Sequence, residues 1–365
     1  MTCRVAGPAD KAGLLKVCEK RGLAAQRFSA DLADEDCSWV VGIEEGAIVG
    51  AACLKFERET RLGKVLTLCG QGPESGRGPR LKALLAALLD QVRASRSADI
   101  VYSTTRTLTA SEQAATVEAG FKPLGVFPGA RSLDGGPVSG LTAWYAEGVL
   151  GRMRHADFAL HPVIAPFYAL AARACGLPAA GDPGDPPALP AFPDALPALE
   201  LVAAPRFAAE RFRRLKARRS LSVNFYPFTD PDVVILSPDE GVQVFAGLDA
   251  GLGFATILGE RLTSSVHPVK LYREVVGLLR AAGASYIEAI NDAADAPGID
   301  CILRAGFRPC GYFPCLKLSG TKRRDFVVFA SSDFRPGVHE APSMHRPCLE
   351  AYLASCGQAR PEGEA

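Results

Sequence analysis

The sequence predicts an α/β fold of the α+β type, built as two tandem domains that each hold a mixed, mostly antiparallel sheet flanked by helices. Three observations support this prediction: a short stretch that occurs twice, a matching pair of amphipathic helices and a matching pair of hairpins. With 365 residues, 48% of them apolar, the chain can build two cores of ordinary size.

The repeated stretch occupies residues 119–128 (AGFKPLGVFP) and returns as residues 305–314 (AGFRPCGYFP), about half a chain length later. An internal repeat of this kind indicates that one structural unit is used twice. Glycine ends a helix in the left-handed conformation that other residues resist, and the aromatic residue after it opens a strand. Each copy of the stretch therefore predicts the end of a helix followed by a strand.

The helices upstream of the two stretches also match. Residues 80–89 and 269–279 carry apolar residues at the spacing of an amphipathic helix. Each run follows a proline, Pro79 or Pro268, and proline suits the first turn of a helix. We therefore expect the two helices to begin at these prolines.

The hairpins complete the repeat. Residues 38–54 and 233–249 are predicted to form hairpins, with Gly46 and Gly241 supplying the positive φ of their turns. Each half then has the order strand, helix, hairpin, strand, helix, strand, helix, strand, strand. The predicted boundaries are two domains at residues 1–150 and 198–334, a helical segment with a proline- and alanine-rich linker at 151–197, and a tail at 335–365 whose end is expected to be disordered.

The composition restricts the class of protein. The formal net charge of +1 gives no general basic surface, so no nucleic-acid partner is expected. The eleven cysteines include no Cys-x-x-Cys pair, which predicts reduced thiols packed as small apolar side chains and no metal site. Neither a signal peptide nor an apolar run long enough to span a membrane is evident, so a cytoplasmic protein without membrane contact is expected.

A glycine-dense stretch joins the central strand of the first half, residues 64–69, to the first repeated helix. Its glycines and arginines are Gly70, Gly72, Gly76, Gly78, Arg77 and Arg80. Backbone N–H groups and the helix dipole at such a junction can bind an anion, glycine lets a phosphate approach the backbone, and arginine adds charge-assisted hydrogen bonds. An ordinary surface connection is the alternative.

The order of elements resembles that of the GCN5-related N-acetyltransferase (GNAT) superfamily, repeated in tandem. The family signature is a strand, the pattern Gln/Arg-x-x-Gly-x-Gly/Ala and a helix, and its loop amides hold the pyrophosphate of acyl-coenzyme A. Residues 76–81 (GRGPRL) align with that pattern, with Gly76 at the Gln/Arg position and with Pro79 and Leu81 in place of the two small residues. The corresponding residues 264–270 of the second half (SSVHPVK) contain no glycine. The resemblance therefore implies acetyl-CoA, or another acyl-CoA, as a co-substrate of the first half, held by Leu68, Cys69, Gly76, Arg77, Gly78, Arg80 and Leu81.

Catalytic candidates follow from the same resemblance. The family often uses a tyrosine, four residues before the Gly-Phe pair, to protonate the leaving thiolate, but Thr116 and Ile302 occupy these positions here. The amine must lose a proton, usually to a carboxylate, directly or through water. The candidates are Glu57 and Glu59 after the first hairpin, and His267 and Asn291 in the second half, where Asp249, Glu260, Glu288 and Asp292 compete.

Three functions remain open. The first is an acyl-CoA-dependent N-acyltransferase, in its simplest form an N-acetyltransferase, that acts on an amine of a small molecule or a peptide. The second is a non-catalytic module that binds an acyl group, CoA or a partner. The third is a transferase with aminoacyl-tRNA as donor, which some proteins of similar architecture use. Because the two halves could pack as a covalent counterpart of a dimer, the chain is expected to be a monomer or a homodimer.

Overall fold

A computed structural model describes residues 1–19, 34–105, 108–130, 138–155, 157–181, 189, 191–221, 223–224 and 228–357. The end of the tail from residue 358 on, which the sequence predicts to be disordered, lies outside these residues. The first half contains β1 (Thr2–Val5), α1 (Lys11–Glu19), β2 (Cys37–Glu44), β3 (Ala47–Glu57), β4 (Leu62–Gly70), α2 (Glu74–Ser95), β5 (Ile100–Ser103), α3 (Ala110–Glu118), β6 (Lys122–Pro128), β7 (Val138–Tyr145) and α4 (Ala165–Cys175).

The second half runs through the same order as the described elements of the first half, and it has a two-residue strand, β9, after its first helix. It contains β8 (Glu200–Val202), α5 (Pro205–Ala217), β9 (Val223–Asn224), β10 (Val233–Leu236), β11 (Val242–Asp249), β12 (Phe254–Leu262), α6 (Pro268–Ala281), β13 (Tyr286–Asp292), α7 (Ala296–Arg304), β14 (Arg308–Ser319), β15 (Lys322–Ser332) and α8 (Arg346–Gly357).

The described strands form one continuous sheet in the order β1-β2-β3-β4-β5-β7-β6-β14-β15-β13-β12-β11-β10-β8, with β9 paired to β12. The pairs β4–β5 and β12–β13 are parallel, and the other pairs of this path are antiparallel. This arrangement confirms the predicted mixed α/β class. The two halves join at β6 and β14, where Gly125 lies opposite Gly311.

Helices cover both faces of the sheet in the first half. Val40 and Ala52 belong to the core under α2, whereas the adjacent Val41 and Ala51 belong to the core under α1. Successive residues of a strand point to opposite faces, so β2 and β3 separate the two cores. Both cores are closed by helices, and the functional features must therefore lie at strand ends or between diverging strands.

Helices α4 and α8 cover the junction of the halves, because each packs on both β6 and β14. Their sequences also repeat: a proline and a Cys-Gly pair have the same spacing in residues 166–176 and 347–357. The repeat therefore extends into the segment predicted as a helical segment with a linker and into the predicted tail. Each of these segments contributes one helix to the junction.

The prediction that the first repeated helix begins at Pro79 was wrong, because α2 begins at Glu74. Pro73 has the extended backbone of a residue that precedes a helix, and Pro79 lies inside the helix. Because proline has no N–H, the carbonyl of Ser75 loses its hydrogen bond within the helix. The residues predicted as a glycine-dense loop thus divide between a short turn and the first two turns of α2.

All eleven cysteines lie in the described residues, none of them forms a disulfide, and most are buried. Two of them, Cys18 and Cys69, bring their Sγ atoms within 3.7 Å of each other between α1 and β4. Within the described parts of the chain, no helix combines the length and the apolar character needed to cross a bilayer.

Candidate functional site

The two central strands of the first half diverge. β4 and β5 pair only from Leu62–Ile100 to Lys64–Tyr102, although β4 continues to Gly70. Leu66 forms a β-bulge, because Val65 and Thr67 lie opposite the consecutive residues 54 and 53 of β3. We call the gap between residues 65–70 of β4 and the end of β5 the first cleft. Within the described residues no strand pairs with this edge of β4 beyond Lys64.

The second half repeats the divergence. β12 and β13 pair only from Phe254–Tyr286 to Thr256–Glu288, and Leu258 forms the corresponding bulge. We call the gap beyond these pairs the second cleft. Alignment of the two bulges places Glu260 of β12 at the position that Leu68 has in β4.

The first cleft ends at a tight turn and a long helix. Residues 71–73 connect β4 to α2, and Gly72 has a φ of +98° that favours glycine. A Cβ at this position would lie 2.6 Å from Nη1 of Arg80, so a side chain here would require the guanidinium of Arg80 to move. In the first turn of α2 the amide of Gly76 donates to the carbonyl of Pro73 at 3.0 Å, whereas the two amides before it have no carbonyl partner in the pattern of an α-helix, and the helix dipole adds positive potential there. This junction has the backbone features of an anion site.

The side chain of Arg80 stabilises the turn through hydrogen bonds. Its Nε and Nη2 donate to the carboxylate of Glu44 at 2.9 and 2.7 Å, and its Nη1 donates to the carbonyl of Gln71 at 2.9 Å. The hydrogen bonds from Arg80 hold the pKa of Glu44 below its ordinary value. Arg80 is therefore already engaged in holding the turn in place.

Arg77 is less fully engaged. Its Nη1 lies 3.5 Å from Oε1 of the buried Glu112. Its Nε is buried and has no hydrogen-bond partner in the described part of the protein. Of the two predicted arginines, Arg77 is the one that retains donors for an anion.

The other predicted cofactor residues lie on either side of the turn. Leu68 and Cys69 are buried near the end of β4, and Leu81 is fully buried in the core under α2. Gly76 and Gly78 lie in the first two turns of α2, and a Cβ at Gly78 would meet no atom within 4 Å. The structure thus brings the predicted set together around one turn, with Leu81 on the core side.

Glu57 and Glu59 do not join this group. Glu57 lies opposite Leu62, at the closed end of the cleft, and its carboxylate accepts hydrogen bonds from the backbone and hydroxyl of Thr60. At about 3.3 Å per residue, this end of the strand pair is about 26 Å from Gly70. The antiparallel pairing of β3 with β4 fixes this separation.

His267 and Asn291 lie in the second half, away from the glycine turn. His267 precedes the first turn of α6, and its ring centroid is 5.5 Å from that of Phe192 in the connecting segment. Nδ2 of Asn291 lies 3.3 Å from Oδ2 of Asp295, which caps α7. The four predicted catalytic residues therefore do not form one constellation.

The competing carboxylates of the second half differ in environment. Asp249 is exposed, Asp292 pairs with Arg324 at 3.0 Å, and Glu288 and Glu260 are buried. Tyr272 of α6 donates its hydroxyl to Oε2 of Glu260 at 3.2 Å. Burial raises the pKa of Glu260 to about 7, and the hydrogen bond from Tyr272 opposes that rise. Sequence analysis missed Tyr272, although a glutamate within an otherwise apolar strand is a signal that a buried partner exists.

No protein-family model and no curated protein matches the chain. Solved structures do match. An aminoglycoside 6'-N-acetyltransferase from Enterococcus faecium is 14% identical, with 40% of this chain and 97% of that chain covered and a TM-score of 0.33. A ribosomal-protein-alanine N-acetyltransferase from Brucella melitensis is 17% identical, with 40% and 100% covered and a TM-score of 0.33. A variant of a spermidine N-acetyltransferase from Vibrio cholerae is 13% identical, with 42% and 99% covered and a TM-score of 0.34.

The chain is thus structurally similar to GNAT acetyltransferases over the length of one domain. At these identities the similarity concerns the fold and does not assign an activity.

Proposed function

We propose that the protein is an acyl-CoA-dependent N-acyltransferase, in its simplest form an N-acetyltransferase, with its cofactor site in the first cleft. The observation that carries the proposal is the edge of β4 from residue 65 to 70, with which no described strand pairs and which leads through the glycine turn to the start of the 22-residue helix α2. A strand edge, a turn whose positive φ favours glycine and the amides at the start of a helix follow one another along a single path.

Each part of this path suits a different part of the cofactor. The N–H and C=O groups that alternate residues of β4 direct towards this edge, away from β3, suit the amides of an extended pantetheine chain. The first-turn amides of α2 and the guanidinium of Arg77 suit the pyrophosphate. Backbone amides at the edge would also stabilise the oxyanion that forms when an amine attacks the thioester.

The acceptor in this proposal is an amine of a small molecule or a peptide. The carboxylate of Glu57 already accepts hydrogen bonds from the backbone and hydroxyl of Thr60, so the proposal does not assign the proton of the amine to it, and it gives Glu59 no part. Arg80 has a supporting part, because its donors hold Glu44 and Gln71.

A non-catalytic module that binds CoA or an acyl group is the second candidate. The observation that favours it is that both arginines near the turn already contact carboxylates, Arg80 with Glu44 and Arg77 with Glu112. These contacts reduce the positive charge that is free to hold a pyrophosphate. Such a module would bind the cofactor and release no thiol.

Calorimetric titration of acetyl-CoA and CoA tests the cofactor site. We expect binding in the micromolar range that weakens about tenfold or more in Arg77→Ala, because a hydrogen bond to a charged group is worth about 1.5–3 kcal/mol. The matched control is Arg93→Ala, which removes a charge at the far end of the same helix, where Arg93 pairs with the exposed Asp90. The absence of both heat and a shift in Tm at millimolar ligand would reject the proposal, because a ligand of the native state must stabilise it.

Thiol release then separates the two candidates. Acetyl-CoA is mixed with a panel of amines that takes its classes from the names of the similar structures: an aminoglycoside, spermidine and a peptide with N-terminal alanine. Release of free CoA with at least one amine supports the transferase. Tight binding of acetyl-CoA without release above the rate of spontaneous hydrolysis, across primary amines of each class, supports the non-catalytic module.

A further inference from the structure

The second cleft contains a strand of the same chain. β11 pairs with one edge of β12 over its whole length, including Gly259 and Glu260. β9 pairs with the same two residues, Gly259 with Asn224 and Glu260 with Val223. Because a strand has only two edges, β9 must lie on the edge that β13 leaves after Thr256.

The start of α6 is covered by another segment. Asp194 of the connecting segment accepts from Nζ of Lys270, at 2.5 Å through its carboxylate and at 3.0 Å through its carbonyl oxygen. The ring of Phe192 packs on His267, directly before the helix. The chain therefore places its own groups at both parts of the second half that correspond to the first cleft and its anion site.

We propose that β9 stands in for an extended ligand and closes the second cleft, so that the protein has one acyl-CoA site per chain, in the first half. The stoichiometry rests on the proposed function, whereas the closure by β9 does not. The second half then serves to complete the shared sheet and core.

Two apolar contacts hold β9 in its place. Leu221 packs with the core under α5 shortly before the strand. Phe228 follows the strand and packs on Tyr102 of the first half, with ring centroids 5.9 Å apart. Tyr102 also packs edge-on against Phe313 at 5.7 Å. A strand tethered at both ends has an effective concentration in the millimolar range, which a free ligand must exceed to displace it.

Hydrogen exchange measured by mass spectrometry tests the closure without any ligand. In the wild type, the peptide that contains Gly259 and Glu260 should be protected. Val223→Pro removes an N–H and disfavours the strand, so it should accelerate exchange of this peptide at least tenfold. Val223→Thr keeps the N–H and the β-branched shape, so it should leave the exchange rate of this peptide unchanged. Unchanged protection of the β4 peptide in both variants verifies that the rest of the sheet is intact.

Equal exchange of the Gly259 peptide in the wild type and in Val223→Pro would overturn the closure by β9. Equilibrium dialysis with CoA measures the stoichiometry, and two CoA molecules per wild-type chain would also overturn the inference. No bound CoA in the wild type would reject the proposed function instead, and the exchange experiment would then decide the closure on its own.

Discussion

Nη2 of Arg323 lies 2.8 Å from Oδ2 of Asp99, and the two side chains belong to opposite halves of the chain. Arg323 is fully buried and also donates to the carbonyl of Thr60, while Arg61 donates to the other oxygen of Asp99 at 2.8 Å. Burial alone would raise the pKa of Asp99, but the hydrogen bonds from Arg61 and Arg323 hold it below its ordinary value. The two halves are therefore joined by a buried ion pair as well as by the continuous sheet.

Asp99→Ala should destabilise the protein by about 3–5 kcal/mol, because it leaves the buried guanidinium of Arg323 without its partner. Urea unfolding measures the change. The matched control is Asp90→Ala, which removes an exposed carboxylate paired with Arg93 and should cost at most about 0.5 kcal/mol. Equal losses in the two variants would show that the Asp99 pair does not hold the halves together.

The contact between Gly125 and Gly311 allows a second test of the junction. A Cβ on Gly125 would lie 2.5 Å from Cα of Gly311 and 2.8 Å from the carbonyl oxygen of Cys310, and backbone atoms cannot rotate away. Gly125→Ala should therefore destabilise the protein by about 3 kcal/mol through local overpacking.

The control for this variant is Gly277→Ala, on the exposed face of α6, where an added Cβ meets nothing within 4 Å. Alanine favours the helix over glycine, so this variant should gain up to about 1 kcal/mol. Both are measured by thermal and urea unfolding. Similar stabilities for the two variants would contradict the close approach of β6 and β14.

Much of the fold could be predicted from the sequence because its signals are local. The repeated stretches at residues 119–128 and 305–314 correspond to β6 and β14, and the glycines that identify the repeat include the pair that meets at the junction. The joining of the two sheets into one could not be predicted, because pairing between distant strands leaves no periodic pattern in either strand. A helical segment was predicted within residues 151–197, where α4 lies, but the packing of α4 and α8 over the junction was not, for the same reason.

The candidate site was only partly predictable, for a related reason. A strand, a glycine turn and a helix are local features, so residues 68–81 were found together. The ion pairs of Arg77 and Arg80 depend on Glu112 and Glu44, which come from other elements and have no sequence signature. The remote position of Glu57 follows from the antiparallel pairing of β3 with β4, which places Glu57 opposite Leu62 and far from Gly70. The prediction of catalytic residues did not take this pairing into account.

His345 should make stability depend on pH in the acid range. The residue is fully buried next to Gly140, neither ring nitrogen has a hydrogen-bond partner among the described residues, and burial lowers its pKa to about 4. Since the ordinary pKa is about 6.5, the unfolded chain takes up a proton before the folded protein does as pH falls. Stability is therefore complete above about pH 6.5 and is lost towards pH 4, by about 3 kcal/mol at the lower end.

Urea unfolding of the wild type and of His345→Leu between pH 7.5 and 4 checks this dependence. The difference in free energy of unfolding between the two should shift in favour of the leucine variant as the pH falls. The control is His339→Ala, which alters an exposed histidine and should follow the wild-type curve. A constant difference between wild type and His345→Leu would show that His345 does not resist protonation.

Glu260 should have the opposite effect in the neutral range. Its pKa is raised from 4.5 to about 7 in the folded protein, so the unfolded chain loses the proton first as pH rises. Stability from this group is therefore complete below about pH 4.5 and declines until about pH 7, by about 3 kcal/mol. Glu260→Gln keeps an acceptor for Tyr272 but cannot ionise, so it should gain stability relative to the wild type as pH rises to 8.

The matched control for Glu260 is Glu274→Gln on the exposed face of α6, which should run parallel to the wild type from pH 5 to 8. Because β9 pairs with Glu260, exchange of the Gly259 peptide gives a second readout of the same titration. A charged carboxylate under β9 is costly in a buried setting, so the peptide should exchange faster at pH 8 than at pH 6, after correction for the intrinsic rate, in the wild type but not in Glu260→Gln. Parallel stability curves for the wild type and Glu260→Gln would mean that Glu260 is solvated, and that the second cleft is open to water.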